Sequence, residues 1–226
     1  FELGGHSLLA TRLVSMIRKE LEVEAAIKDI FVYSKLVDLG RYLDKQSKGT
    51  ILPAIIPQDR SDRIPLSFSQ ERLWFIDQLH GSTEYHIPIN LELSGELDVT
   101  ILEASFREIV SRHEVLRTVI FSEDGVGYQR VMPADKWSLE EVTLESEDLV
   151  GTNVSEFMNA PFDLTRDYML RVRLYHLGEV RYILSGVFHH IARDGWSNGL
   201  LTQEFIELYG ALSTSRTPVL GDLSIQ

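Results

Sequence analysis

Two histidines stand side by side at His189 and His190, and the pair Asp194-Gly195 follows a few residues later. They close the strand-like run Tyr182-Ile183-Leu184-Ser185-Gly186-Val187-Phe188, which would hold an imidazole on rigid backbone. An imidazole titrates near neutral pH, so it can exchange a proton, orient a nucleophile or stabilise a developing charge. Adjacent strand residues point to opposite faces, which disfavours a metal shared by the two rings. Taken alone, the pair reads more readily as satisfied core histidines than as a catalytic group. A second candidate stands at the other end of the chain. Gly4-Gly5-His6-Ser7-Leu8 places a serine hydroxyl at the start of a helix, where free amides and the helix dipole favour a phosphate. Those five residues alone favour an N-cap over a phosphodiester carrier.

The elements that must position these groups follow from periodicity. Leu9, Leu13, Met16, Ile17 and Leu21 recur at helical spacing over 8–21. A short turn over 27–32 and a helix over 36–45, with Leu36, Leu39 and Leu43 on one face, complete a small helical region. Gly49, Pro53, Pro57 and Pro65 give 47–65 the composition of a linker. Its apolar Ile51, Leu52, Ile55 and Ile56 are expected to lie against a domain surface. Beyond it helix and strand alternate. Ser69 is the expected cap of a helix through Leu79, and Ile87, Ile89, Leu91 and Leu93 alternate as a strand. Asp98 caps a helix carrying Ile101, Leu102, Phe106, Ile109 and Val110. Hairpins are expected about Asp124-Gly125 and Gly178, with a weaker helix over 151–159 between them. A last helix begins at Ser197 or Asn198. This order implies an α/β sandwich around a mixed sheet.

Composition limits the function. The chain has 226 residues, 44% of them hydrophobic and 25% charged, enough for a packed core. A formal charge of -12 argues against a nucleic-acid partner. No cysteine is present, which removes thiol catalysis, disulfides and thiolate zinc sites and fits a cytoplasmic location. No apolar run is long enough to span a bilayer, so no membrane partner is expected. The sequence opens at Phe1 inside a motif and reads as part of something longer.

Several segments carry a family resemblance. Phe1-Glu2-Leu3-Gly4-Gly5-His6-Ser7-Leu8-Leu9-Ala10 resembles the attachment motif of peptidyl carrier domains from non-ribosomal peptide synthetases, and Ile30-Phe31 and Val37-Asp38-Leu39 look like the rest of that domain. Ser67-Phe68-Ser69-Gln70-Glu71-Arg72-Leu73-Trp74, Arg112 to Thr118, and His189 to Ser197 resemble, in order, three motifs of the condensation domain of the same synthetases. Asn159 to Leu164 fits a further family segment. Two positions depart from the pattern. Arg193 replaces a small residue, and either faces solvent or alters the donor or acceptor side of the substrate channel that the family resemblance implies. Thr165-Arg166-Asp167-Tyr168 replaces a shorter, more apolar turn.

The resemblance implies an α+β fold. It comprises a partial all-α carrier bundle over 1–46 lacking its first helix, a linker over 47–65, and over 66–226 a chloramphenicol acetyltransferase-like first lobe lacking the second. Ser7 would bear 4'-phosphopantetheine. His190 would be the catalytic imidazole, with His189, Asp194 and Gly195 completing the motif. Asp194 is expected to pair with an arginine, Arg112 and Arg117 being the candidates, and Arg72 to give structural support. The implied partners are upstream and downstream carrier and adenylation domains and a phosphopantetheinyl transferase. The implied reaction is amide-bond formation between two carrier-bound groups, in the subtype joining two L residues. The resemblance also implies that the catalytic histidine sits in a tunnel at the junction of two lobes, so the first lobe is expected to be inactive by itself. Rival readings are an epimerisation domain, which shares the double histidine, and a non-catalytic module that only docks carriers. Heterocyclisation is disfavoured because aspartates would replace His189 and His190.

Overall fold

The computed structural model describes residues 7–46, 55–61, 63–144, 146–223 and 225–226, without the side chains of Ser7 and Leu8. Gly4, Gly5 and His6 of the expected carrier motif, with Ile51 and Leu52, lie outside the described residues. The chain divides into two units, 1–56 and 57–226.

The first unit holds α1 (Ser7–Leu21), α2 (Ile27–Val32) and α3 (Leu36–Asp44). Ile17, Val23, Ala25, Leu39 and Leu43 form its core, and Tyr33 stacks on Tyr42 at 4.4 Å. Buried Asp29 is answered twice: its Oδ2 accepts from the Ala26 amide at 2.8 Å and from Tyr42 Oη at 3.1 Å. The buried stripe of α1 differs from the expected one. Ala10, Val14 and Ile17 are buried, whereas Leu9, Leu13, Met16 and Leu21 are exposed, as is Leu36 on α3. α1 is apolar on more than one face, so spacing alone could not select which face the short helices cover.

The second unit holds two sheets. β1 (Ile64–Pro65), β4 (Val126–Val131) and β3 (Thr118–Glu123) form one, in the order β1-β4-β3. The end of the expected linker is therefore a strand. Upstream of it Ile55 is 81% exposed, contrary to the expectation that it is covered. The β3–β4 turn places Asp124 at φ 51° and Gly125 at φ 79°, the doubly left-handed turn that tight hairpins require. α4 (Phe68–His80) follows β1. Its cap is Ser67 rather than Ser69: the Gln70 amide donates to Ser67 Oγ, and Gln70 Oε1 accepts from the Ser67 amide at 2.8 Å. Any side chain at Gly127 would meet Leu66 Cδ1 at 2.8 Å and Trp74 Cε3 at 3.1 Å, so a glycine is what lets α4 close on this sheet.

The other sheet runs β2 (His86–Ser94), β7 (Arg181–His189), β6 (Leu170–His176), β5 (Glu140–Thr143). It is mixed: β2–β7 and β7–β6 are antiparallel and β5–β6 parallel. The register sets His86 against His189 and Leu170 against Phe188. α5 (Val99–Arg112) and α7 (Ser197–Ser213) cover one face, meeting Val172, Leu184 and Phe188 through Leu102, Ile109, Leu201 and Leu208. The opposite face is covered by Phe157 of α6 (Val150–Asn159), Phe162 and Leu164, which pack on Met169, Val187 and Ile120. Period-two alternation along β7 thus sends Phe188 to one core and Val187 and His189 to the other. Each large apolar side chain buried there contributes about 2 kcal/mol, so the strand end carrying the histidines is fixed from both sides.

Candidate active site

The two histidines occupy opposite environments. His189 is fully buried, and its ring is bound at both nitrogens. The Ile191 amide donates to Nδ1 at 3.1 Å, so Nδ1 is unprotonated and Nε2 carries the hydrogen. Nε2 then donates to Ser82 Oγ at 2.9 Å, and Ser82 donates to Asp77 Oδ1 at 2.5 Å. A directed chain therefore runs from the motif loop through His189 to the last turn of α4. Burial, reinforced by the neighbouring His86, His190 and Arg171, pushes the His189 pKa down to about 4. Phe162 and His86 pack edge-on against it at 5.5 and 6.1 Å. His86 donates from Nδ1 to Met158 O at 2.9 Å, and its Nε2 is buried without a hydrogen-bond partner among the described residues. Burial lowers its pKa as well.

His190 is exposed. Its amide donates to Tyr85 O at 2.9 Å, which pins the backbone, while its ring makes no hydrogen bond to the described residues. It opens onto a cleft of about 520 Å³ lined also by Ser69, Arg72, Leu73, Tyr85 and Asp194. Arg72 is exposed on the cleft wall.

Asp194 is not in the expected ion pair. It is exposed, and Oδ1 accepts from the Ser197 amide at 3.0 Å and from Ser197 Oγ at 2.7 Å. Those bonds, the hydroxyl one foremost, hold its carboxyl below the usual carboxylate range. The Asp-Gly turn thereby anchors the start of α7. Both candidate arginines are engaged elsewhere. Arg112 Nε donates to Glu204 Oε1 at 3.0 Å, and its Nη2 donates to Gly221 O. Arg117 donates to Met132 O at 2.7 Å and to Ser111 O at 3.2 Å and lies near Glu114. Arg112 and Arg117 thus tie helix ends and the β4 exit rather than the motif loop. Gly195 lies in the turn with open space where a Cβ would stand.

Ser82, Asp77, Tyr85 and Glu204 were not singled out from the sequence. Gly81-Ser82 after a helical pattern does mark a turn, and Gly81 lies at φ 83°. Nothing local, however, ties Ser82 to a histidine 107 residues away. Among the described residues there is no grouping of three or more histidines and carboxylates able to hold a metal. None of the described helices is long and apolar enough to cross a membrane.

Residues 60–224 match the model of the condensation domain family, and residues 1–43 match that of the phosphopantetheine attachment site. The chain belongs to the condensation domain family of non-ribosomal peptide synthetases, preceded by carrier-domain sequence. It is 39% identical to a linear gramicidin synthase of Brevibacillus parabrevis, over all of this chain and 5% of that protein. It is also 39% identical to the dimodular nonribosomal peptide synthase of Bacillus subtilis strain 168, over all of this chain and 10% of that protein. The chain therefore spans a small part of the curated relatives it matches. Among solved structures, the X-domain from teicoplanin biosynthesis superposes with a TM-score of 0.70 at 32% identity, covering 77% of this chain and 38% of that one. The starter condensation domain of rhizomide synthetase shares the fold, with a TM-score of 0.64 at 23% identity over 73% of this chain and 41% of that one. The carrier sequence of this synthetase segment implies covalently attached 4'-phosphopantetheine. The fit of α1 to that group is favourable: the helix begins at Ser7, and its first turn holds no acidic side chain to repel a phosphate.

Proposed function

We propose that this chain takes part in amide-bond formation between a carrier-bound donor acyl or peptidyl thioester and the amine of a carrier-bound aminoacyl acceptor, with His190 at the reacting centre and Ser7 as the attachment residue. The observation that carries the reading is the asymmetry of the histidine pair. His189 is buried and bound at both ring nitrogens, whereas His190, next in sequence, opens its unengaged ring into a cleft. Phosphopantetheine on Ser7 would supply a flexible thiol that holds the acyl group as a thioester.

An α-amine has a pKa near about 8, so part of it is already a free nucleophile at neutral pH. As its nitrogen bonds the carbonyl carbon it gains positive charge and must shed a proton, while the carbon–sulfur bond breaks and the departing thiolate of the donor arm ends as the protonated thiol. His190 faces that event. No carboxylate among the described residues hydrogen-bonds its ring, so the carboxylate-backed imidazole of a hydrolase triad is not built here. Orienting the amine and stabilising its developing charge is the role this geometry favours. His189 acts through its ring, whose bonds to the Ile191 amide and Ser82 hold the turn that aims His190. The partners that fit are neighbouring carrier and adenylation domains and a phosphopantetheinyl transferase.

The test uses an intact synthetase module with both carriers loaded, its products read by mass spectrometry and chiral analysis. His190→Ala is expected to lower amide formation by about 10²–10³-fold. Unchanged turnover would favour a module that only docks carriers, and a D-residue without a new amide would favour epimerisation. In parallel, coenzyme A and a broad phosphopantetheinyl transferase should add one arm fewer to Ser7→Ala than to wild type.

A further inference from the structure

Arg193, the residue before Asp194, does not face solvent. It is 6% exposed, and its Cζ lies 4.0 Å from the centre of the Phe188 ring. Its Nε and Nη1 are buried without a hydrogen-bond partner among the described residues, and no carboxylate among them pairs with it. The ring beneath attracts the cation but accepts no hydrogen bond in the plane of the guanidinium.

The position of this side chain is specific. It lines the His190 cleft, and it also lines an apolar cavity of about 150 Å³ between the sheet and its covering helices, walled by Ile89, Leu91, Phe106, Leu201 and Phe205. No other described residue borders both. The sole carboxylate among the described residues of either lining is Asp194, which is held by Ser197 on the exposed side of the loop. A buried cation is matched best by an anion, and the surrounding walls supply none.

We propose that Arg193 is a specificity-determining residue that receives the side-chain carboxylate of a carrier-bound acyl group, so that the cleft favours an aspartyl- or glutamyl-type substrate. The proposal rests on the reading of this cleft as the condensation site. Arg193 stands three residues from His190 in the same cleft wall, so one ligand can present its reacting end to the imidazole and its acidic end to the guanidinium. The apolar walls beside Arg193 take the intervening methylenes. They also exclude water, which strengthens a charge-assisted bond to the guanidinium.

The test is calorimetric binding to the intact synthetase module of two non-hydrolysable probes, the glutamyl and glutaminyl amides of aminopantetheine. These differ only in the charge of the side-chain terminus. Wild type is expected to bind the glutamyl probe at least about tenfold more tightly. Arg193→Ser and Arg193→Gln are each expected to bring the two affinities within about twofold of one another. Equal binding of the two probes by wild type would overturn the proposal. That result is also the one expected if a carboxylate from elsewhere in the synthetase already occupies the guanidinium. A preference that survives in both variants would overturn it equally. Binding is read without turnover, so His190→Ala should keep the preference even where the catalytic reading of His190 fails.

Discussion

Asp194 directs its carboxylate to Ser197, the first residue of the helix that follows the histidine loop. Because that carboxylate caps α7, its removal acts first on the loop. Asp194→Ala is expected to cost about 1 kcal/mol of local stability, whereas Asp194→Asn, which can still accept from the Ser197 amide, costs less. Hydrogen exchange of peptides spanning 194–201 in the intact module checks this. Faster exchange in the alanine variant alone is expected, and equal exchange in all three proteins would remove the capping role. Any fall in condensation that tracks the exchange is then a positional effect rather than loss of a group that touches substrate. The His-His-Asp-Gly spacing was legible because a strand end followed by a turn and a helix start leaves a local pattern. The partner of Asp194 was misjudged because Arg112 and Arg117 supply charge of the right sign, and sequence cannot show that Glu204 and backbone carbonyls already hold them.

At the scale of elements, the cleft depends on α5 and α7 staying together over the sheet. Glu204, 6% exposed on α7, accepts from Arg112 Nε at 3.0 Å and lies 2.5 Å from His113 Nε2 at the end of α5. Glu204→Ala leaves Arg112 mostly covered and short of its carboxylate, a change expected to cost about 3–5 kcal/mol. Limited proteolysis of the intact module should then cut within 197–213 faster than in wild type, and unchanged cleavage would mean that apolar packing alone holds the helices. The apolar half of this contact was readable from sequence, since Ile109, Leu201 and Leu208 recur at helical spacing and all reach the core. The polar half was not, because residues 92 positions apart in sequence carry no shared local signal. β5 escaped notice for a related reason. Glu140-Glu141-Val142-Thr143 has little apolar alternation, and its strand form comes from parallel pairing with β6.

For the molecule as a whole, the buried histidine makes folding depend on pH. His189 is pushed down to about 4 in the folded state, while an unfolded histidine titrates near about 6.5. Between those values the unfolded chain binds a proton that the folded chain refuses. The contribution of neutral His189 is therefore fully present above about 6.5 and is lost as pH falls toward about 4, with a slope of at most about 1.4 kcal/mol per pH unit from this group. His86, also lowered by burial and set against His189 in the register, acts in the same direction. Acid should consequently loosen the strand end that carries His190 before it touches the carboxylates that titrate lower. Exchange of the imidazole C2 hydrogen in the intact module, followed by mass spectrometry across pH, reads the midpoint of each histidine. A His189 midpoint near 4 with slow exchange is expected. A midpoint of about 6.5 would mean that the ring is solvated, and the chain through Ser82 to Asp77 would then lose its claim to hold the His190 turn in place.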